Sequence, residues 1–237
     1  MMMHEGYEYP RVIDEICDLN WRALSRDEMV SVAWAYYHFS IQFRENLEIA
    51  RRLYPDDPKL RQLEQEECDT DNLSPWPGVA QPGERLNHDE FMRRTLDLMP
   101  IDPEQASRLE AIGAAYLADM RNLDDVSCAA SIASYEDGGL ERVFRAMLEF
   151  RHWEEPLLAA FQHFLTMHIK FDSDPEQGHG ALSRHMVLDD SVLPLWQGFK
   201  HIFITSAPRL SHPTGHSETD LESPGKEQSQ AEVAILA

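Results

Sequence analysis

Apolar residues recur along most of the chain at the three-to-four-residue spacing of helices, and no stretch alternates with period two between turn signals. Ser25 followed by Glu28 is a capping box. It opens the longest predicted helix, Asp27 to about Tyr54, whose apolar positions include Val30, Ala33, Trp34, Tyr37, Ile41, Phe43, Leu47 and Ala50. His38 sits among those aromatics and reads as a packed core residue. Pro58 stands at a favoured first-turn position of the next helix. Leu60, Leu63 and then either Glu66 or Glu67 continue one face of it. An irregular insert, 69–86, carries Pro75, Trp76, Pro77, Gly78, Pro82 and Gly83 and reads as an ordered lid or wall. Asn87 is an expected N-cap for a helix bearing Phe91, Met92, Leu96 and Met99. Further helices are expected over 11–20, 102–122, 124–136, 140–150, 155–171, 180–188 and 192–206. The fold class is all-α: a single-domain antiparallel helical bundle spanning 11–207, with 1–10 and 208–237 as disordered termini.

Charge narrows the partners. At 237 residues and a formal charge of -21, the chain offers little cationic surface to nucleic acid or anionic membranes, so neither is expected as a partner. Cys17, Cys68 and Cys128 are odd in number and widely spaced, which argues against disulfides or a zinc ribbon and for a reducing cytoplasmic setting. The first ten residues lack the apolar core of a signal peptide, and no apolar run approaches membrane-spanning length.

Candidate chemistry concentrates late in the chain. Five of the eleven histidines lie from His152 to His185. His168 and Asp172 are four apart and share a helix face, and His179 follows after Pro175 and Gly178. Two histidines and a carboxylate at this reach can hold a redox-active metal with open positions. Two further segments supply ligand types: Glu66-Glu67-Cys68 with Asn87-His88, and Glu136, at the end of a helix rich in Ser and Ala. Dinuclear sites in helix bundles use inward carboxylates and histidines of this kind.

These residues resemble the haem-oxygenase-like di-metal oxidases and oxygenases, over roughly residues 25–205. Glu66-Glu67 and Asn87-His88-Asp89-Glu90-Phe91 look like that family's Glu-Glu and Asn-His pieces, Glu136 like its mid-helix Glu, and His168, Asp172 and His179 like its last ligand helix. The insert between Glu66 and His88, and residues 173–177, depart from the family's spacing. The resemblance implies a haem-oxygenase-like bundle holding two Fe ions, or an Mn/Fe pair, without haem. It implies metal ligands Glu66, His88, Glu136, His168, Asp172 and His179, with Glu67 the alternative to Glu66, His185 to His179, and Asp124 or Glu141 to Glu136. One metal would take Glu66, His88 and Glu136, the other His168, Asp172 and His179, with Glu136 as the bridge. The implied enzyme is a non-haem di-iron oxidoreductase using dioxygen as co-substrate to oxidise a small-molecule substrate, with an external electron donor and a homodimer compatible with the fold. Tyr37, Tyr135 and Trp76 are candidate pocket walls. The alternative readings are a metal-free protein of the same fold, transforming a small heterocycle or acting as a thiamin-type hydrolase with Cys128 as a candidate nucleophile, and a non-catalytic ligand-binding or regulatory bundle.

Overall fold

The computed structural model describes residues 6–172 and 178–211, apart from the Asp172 side chain. Among the described residues there are ten α-helices and no β-strand, only two isolated bridges in one loop. They are α1 (Tyr9–Cys17), α2 (Arg26–Leu53), α3 (Pro58–Cys68), α4 (His88–Asp97), α5 (Pro103–Met120), α6 (Asp125–Glu136), α7 (Gly139–Met147), α8 (Ala159–Asp172), α9 (His179–Ser183) and α10 (Leu193–Ser206). Ordered structure starts at Tyr9 and continues into a 3-10 turn at Pro208–Ser211, slightly beyond the expected 11–207 at both ends. The remainder of the expected disordered termini, 1–5 and 212–237, lies outside the described residues.

Local sequence explains most of the boundaries. The Ser25 side chain accepts from the Glu28 amide while Glu28 returns a bond to the Ser25 amide, so two orphan donors of α2 are satisfied. Asp57 and Asp102 cap α3 and α5 in the same sense, each followed by a proline that needs no donor. Asn87 does occupy the N-cap of α4, but its side chain makes no capping bond.

Helix α2 is the axis of the bundle and packs against α3, α4, α5, α6 and α10. Its aromatic side chains form the centre of the core: Phe39 stacks on Phe199 at 3.9 Å between ring centroids, and Tyr36 meets Phe144 and Phe164 edge-on. Small residues let α6 lie close to α2, where Asn46 donates to Ser131 Oγ at 2.8 Å in the interior. Every residue of α6 from Ser127 to Glu136 is buried, which brings a carboxylate into the core at its last position.

Two glycines set how α6 ends. Gly138 has φ of +90°, a conformation costly for other residues, and it turns the chain from α6 into α7. Gly180 lets α9 approach α6, since a Cβ there would lie 2.9 Å from the Glu136 carbonyl oxygen. An ion pair from Arg184 to Asp137 at 2.8 Å fastens the same junction from outside.

Candidate metal centre

Five helices deliver one buried ligand-type side chain each to the same place. Glu67 comes from the last turn of α3, His88 from the first residue of α4, Glu136 from the last of α6, His168 from α8 and His179 from the first of α9. On α3 the buried positions are Leu60, Leu63 and Glu67, so helical phase turns Glu67 inward with the two leucines.

The five groups form two sets that share Glu67: Glu67, His88 and His168, and Glu67, Glu136 and His179. In the first, Glu67 Oε2 is 2.6 Å from His88 Nδ1, and His88 Nδ1 is 3.0 Å from His168 Nε2. In the second, His179 Nδ1 is 3.0 Å from Glu67 Oε1 and 3.2 Å from Glu136 Oε2.

Hydrogen bonds on the outer side of each ring fix what points inward. His168 Nδ1 donates to the Phe164 carbonyl at 2.8 Å, which leaves Nε2 facing the centre. His88 Nε2 is 3.1 Å from Asn72 Oδ1, which leaves Nδ1 facing the centre. His179 Nε2 is 3.3 Å from Glu66 Oε2, with Nδ1 inward. Rings that ligate metals are held in this manner, by an acceptor on the nitrogen that does not bind.

Charge agrees with this geometry. Burial, and then the nearby His88, push the His168 imidazole down to about 3, so its ring is neutral and Nε2 is a lone pair. Burial alone raises the Glu67 carboxyl, but His88 and His179 outweigh it and hold the group ionised, well below the usual carboxylate range. With Nε2 of His88 committed to Asn72, three ligand-type atoms stand face to face: Glu67 Oε2, His88 Nδ1 and His168 Nε2. A single proton on His88 Nδ1 makes one linear bond and leaves the other lone pair unserved. A cation between them serves all three. In addition, Glu67 Oε1 is buried and accepts no hydrogen bond of good geometry among the described residues. The donor set of imidazole nitrogens and carboxylate oxygens suits iron, manganese or zinc, and the residues therefore fit a pair of such ions.

A cavity of about 20 Å³, room for one water-sized guest, adjoins the centre. Tyr36, Phe39 and Phe43 of α2 give it an apolar wall, and Ser40 and Arg44 of the same helix, with Cys68 and Asp89, line it as well. Arg44 is partly exposed and bonded to Asp89 at 2.9 Å.

The structure brings together His88, Glu136, His168 and His179 of the expected ligands. Glu66 is placed differently: it lies a residue out of phase with the inward face, a third exposed, and touches the centre only through His179. Glu67 takes the inner position and lies between both sets, where Glu136 had been expected to bridge. The expected grouping also changes, because His88 pairs with His168 and Glu136 with His179. The Asp172 side chain and residues 173–177 lie outside the described residues. His185 points elsewhere, to Asp57 Oδ2 at 2.5 Å.

The other candidates belong to the scaffold. His38 packs against Gly113, bonded to the Trp34 carbonyl at 3.0 Å and facing Glu110 at 3.3 Å. Tyr36 rather than Tyr37 lines the cavity, Tyr135 lies in the core beside Gln42, and Trp76 stacks on His163. Cys128 is buried and its thiol is pushed up to about 11 by burial, which leaves it a poor nucleophile. Asn72 had no sequence signal, since its contact with His88 depends on how the insert folds back.

In comparisons with known proteins, no family model, curated protein or solved structure matched the chain. The likeness to the haem-oxygenase-like oxidases accordingly rests on the residues themselves.

Proposed function

We propose that this bundle is a non-haem di-iron oxidase or oxygenase, with Glu67, His88 and His168 holding one metal and Glu67, Glu136 and His179 the other. The observation that carries the reading is the convergence of three buried ligand-type atoms, Glu67 Oε2, His88 Nδ1 and His168 Nε2, each histidine fixed by an acceptor on its outer nitrogen. A bound pair of iron ions would supply the electrons and open positions that dioxygen chemistry needs.

The chain's own part follows from its side chains. Glu67, common to both ligand sets, would bring negative charge to each of them. Tyr36, Phe39, Phe43 and Phe164 give the small cavity beside the centre an apolar wall, which suits a small guest such as dioxygen. A thiol-dependent hydrolase is less well supported, because burial pushes Cys68 to about 12 and Cys128 to about 11.

The test is dioxygen uptake. Protein loaded anaerobically with ferrous iron and then mixed with dissolved dioxygen should consume it in proportion to bound iron. Loaded Glu67→Ala protein should not. Equal uptake by both would overturn the reading.

A further inference from the structure

The insert between α3 and α4 reaches the centre through Asn72. Its ends are pinned by the Thr70–Leu86 bridge, with Leu86 N donating to Thr70 O at 2.9 Å. Leu73 is buried, its carbonyl accepts from His163 Nε2 at 3.1 Å, and Trp76 stacks on the same ring at 4.4 Å. Arg94 of α4 donates to the Val79 carbonyl at 2.9 Å. The strap is thus fixed to α8 and α4 just after Asn72, through Leu73, Trp76 and Val79, and closed on itself just before it, at Thr70.

The Asn72 amide has one possible orientation. Its outer neighbour is the Glu66 carbonyl, which can only accept, so Nδ2 must be the atom donating to it at 3.1 Å. Oδ1 therefore faces His88 Nε2 at 3.1 Å and requires a proton there. The same amide ties the turn that carries Glu67 to the ring that meets Glu67.

We propose that Asn72 is a positioning residue that locks His88 with Nε2 protonated, so that Nδ1 is presented to the metal, and that the 69–86 strap holds this amide in place. Its purpose, though not its geometry, rests on the dinuclear-metal reading above. Losing such an outer partner of a ligating histidine lowers metal affinity by about 10–100-fold.

The experiment compares the full chain with Asn72→Ala and Asn72→Asp, with histidines labelled by nitrogen-15, at one neutral pH. Asp keeps an acceptor towards His88 but cannot donate to the Glu66 carbonyl, so the two variants separate ring locking from mere tying of the loop. Zinc ion is the diamagnetic probe. In the parent and in Asn72→Asp, His88 should show a proton on Nε2 with Nδ1 unprotonated when zinc is bound. Asn72→Ala should bind zinc about 10–100-fold more weakly, with the Nε2 proton lost to fast exchange. If the alanine variant does not fold, Asn72→Gln, which displaces the acceptor by a methylene, should show the same loss. Parent-like affinity and ring state in Asn72→Ala, or an Asp variant as impaired as the alanine one, would overturn the proposal. Failure of the parent to bind zinc or ferrous iron would sink the metal reading instead; the His88 ring state in metal-free parent and Asn72→Ala would still decide the role of Asn72.

Discussion

His168 Nε2 lies 3.0 Å from His88 Nδ1, and the other nitrogen of each ring is already committed to an acceptor, Phe164 O for one and Asn72 Oδ1 for the other. Glu67 Oε2, His88 Nδ1 and His168 Nε2 therefore face one another, and a single proton on His88 Nδ1 cannot serve both neighbours at once. Folding brings these groups together because α4 and α8 pack side by side, with Phe164 stacked on His168 at 4.1 Å. The centre is therefore a place where the fold holds chemistry against local electrostatic preference, as functional sites often do.

Adjacent glutamates should behave differently. Glu67→Gln removes the charge common to both ligand sets and should abolish tight binding of both metals. Glu66→Gln removes only the carboxylate behind His179 and should keep both sites, with about 10–100-fold weaker binding at the one served by His179. Metal titration of the two variants checks this, and equal losses would contradict it.

Stability should depend on pH through His168. Its folded value is about 3 against 6.5 for a free imidazole. Between those limits the unfolded chain takes up a proton that the folded chain refuses, so stability falls as pH falls through that window. The slope from this one group is at most about 1.4 kcal/mol per pH unit. Denaturant unfolding of metal-free protein from pH 7 to 4 should show a shallower dependence in His168→Gln than in the parent. Parallel curves would contradict the assignment.

Gly180 should be intolerant of a side chain. The added Cβ of Gly180→Ala would lie 2.9 Å from the Glu136 carbonyl and 3.2 Å from Asp137 Cα, both backbone atoms that cannot swing aside. Separating α9 from α6 should cost about 1–3 kcal/mol. It should also weaken the Glu136–His179 metal more than the His88–His168 one, which stepwise metal titration reads directly.

Fold and site should be separable at the far end of α2. Ser25→Ala removes a capping bond remote from the centre and should cost about 1 kcal/mol without changing metal content. Thermal unfolding and metal analysis of the same sample check both halves.

The helices were legible because their signals are local: a capping box at Ser25, Asp-Pro starts at α3 and α5, and long apolar periodicity in α2. The residue types that meet at the centre were legible for the same reason, as His and Glu at helix positions. The choice between Glu66 and Glu67 needed only phase, since Leu60, Leu63 and Glu67 step by three and four along one face. What could not be read was the pairing of sites across the bundle. His88 joins His168, and Glu67 rather than Glu136 stands in the middle, because α3 and α9 pack together and carry Glu67 towards His179. Asn72 was equally invisible, since its role arises from a loop folding back through contacts distant in sequence.

The central claim is that two metals share Glu67, and counting metals tests it most directly. Parent protein reconstituted anaerobically with ferrous iron, freed of loosely held metal and analysed for iron and protein should contain close to two irons per folded chain. One iron, or none, in protein that retains its helical content would contradict the account.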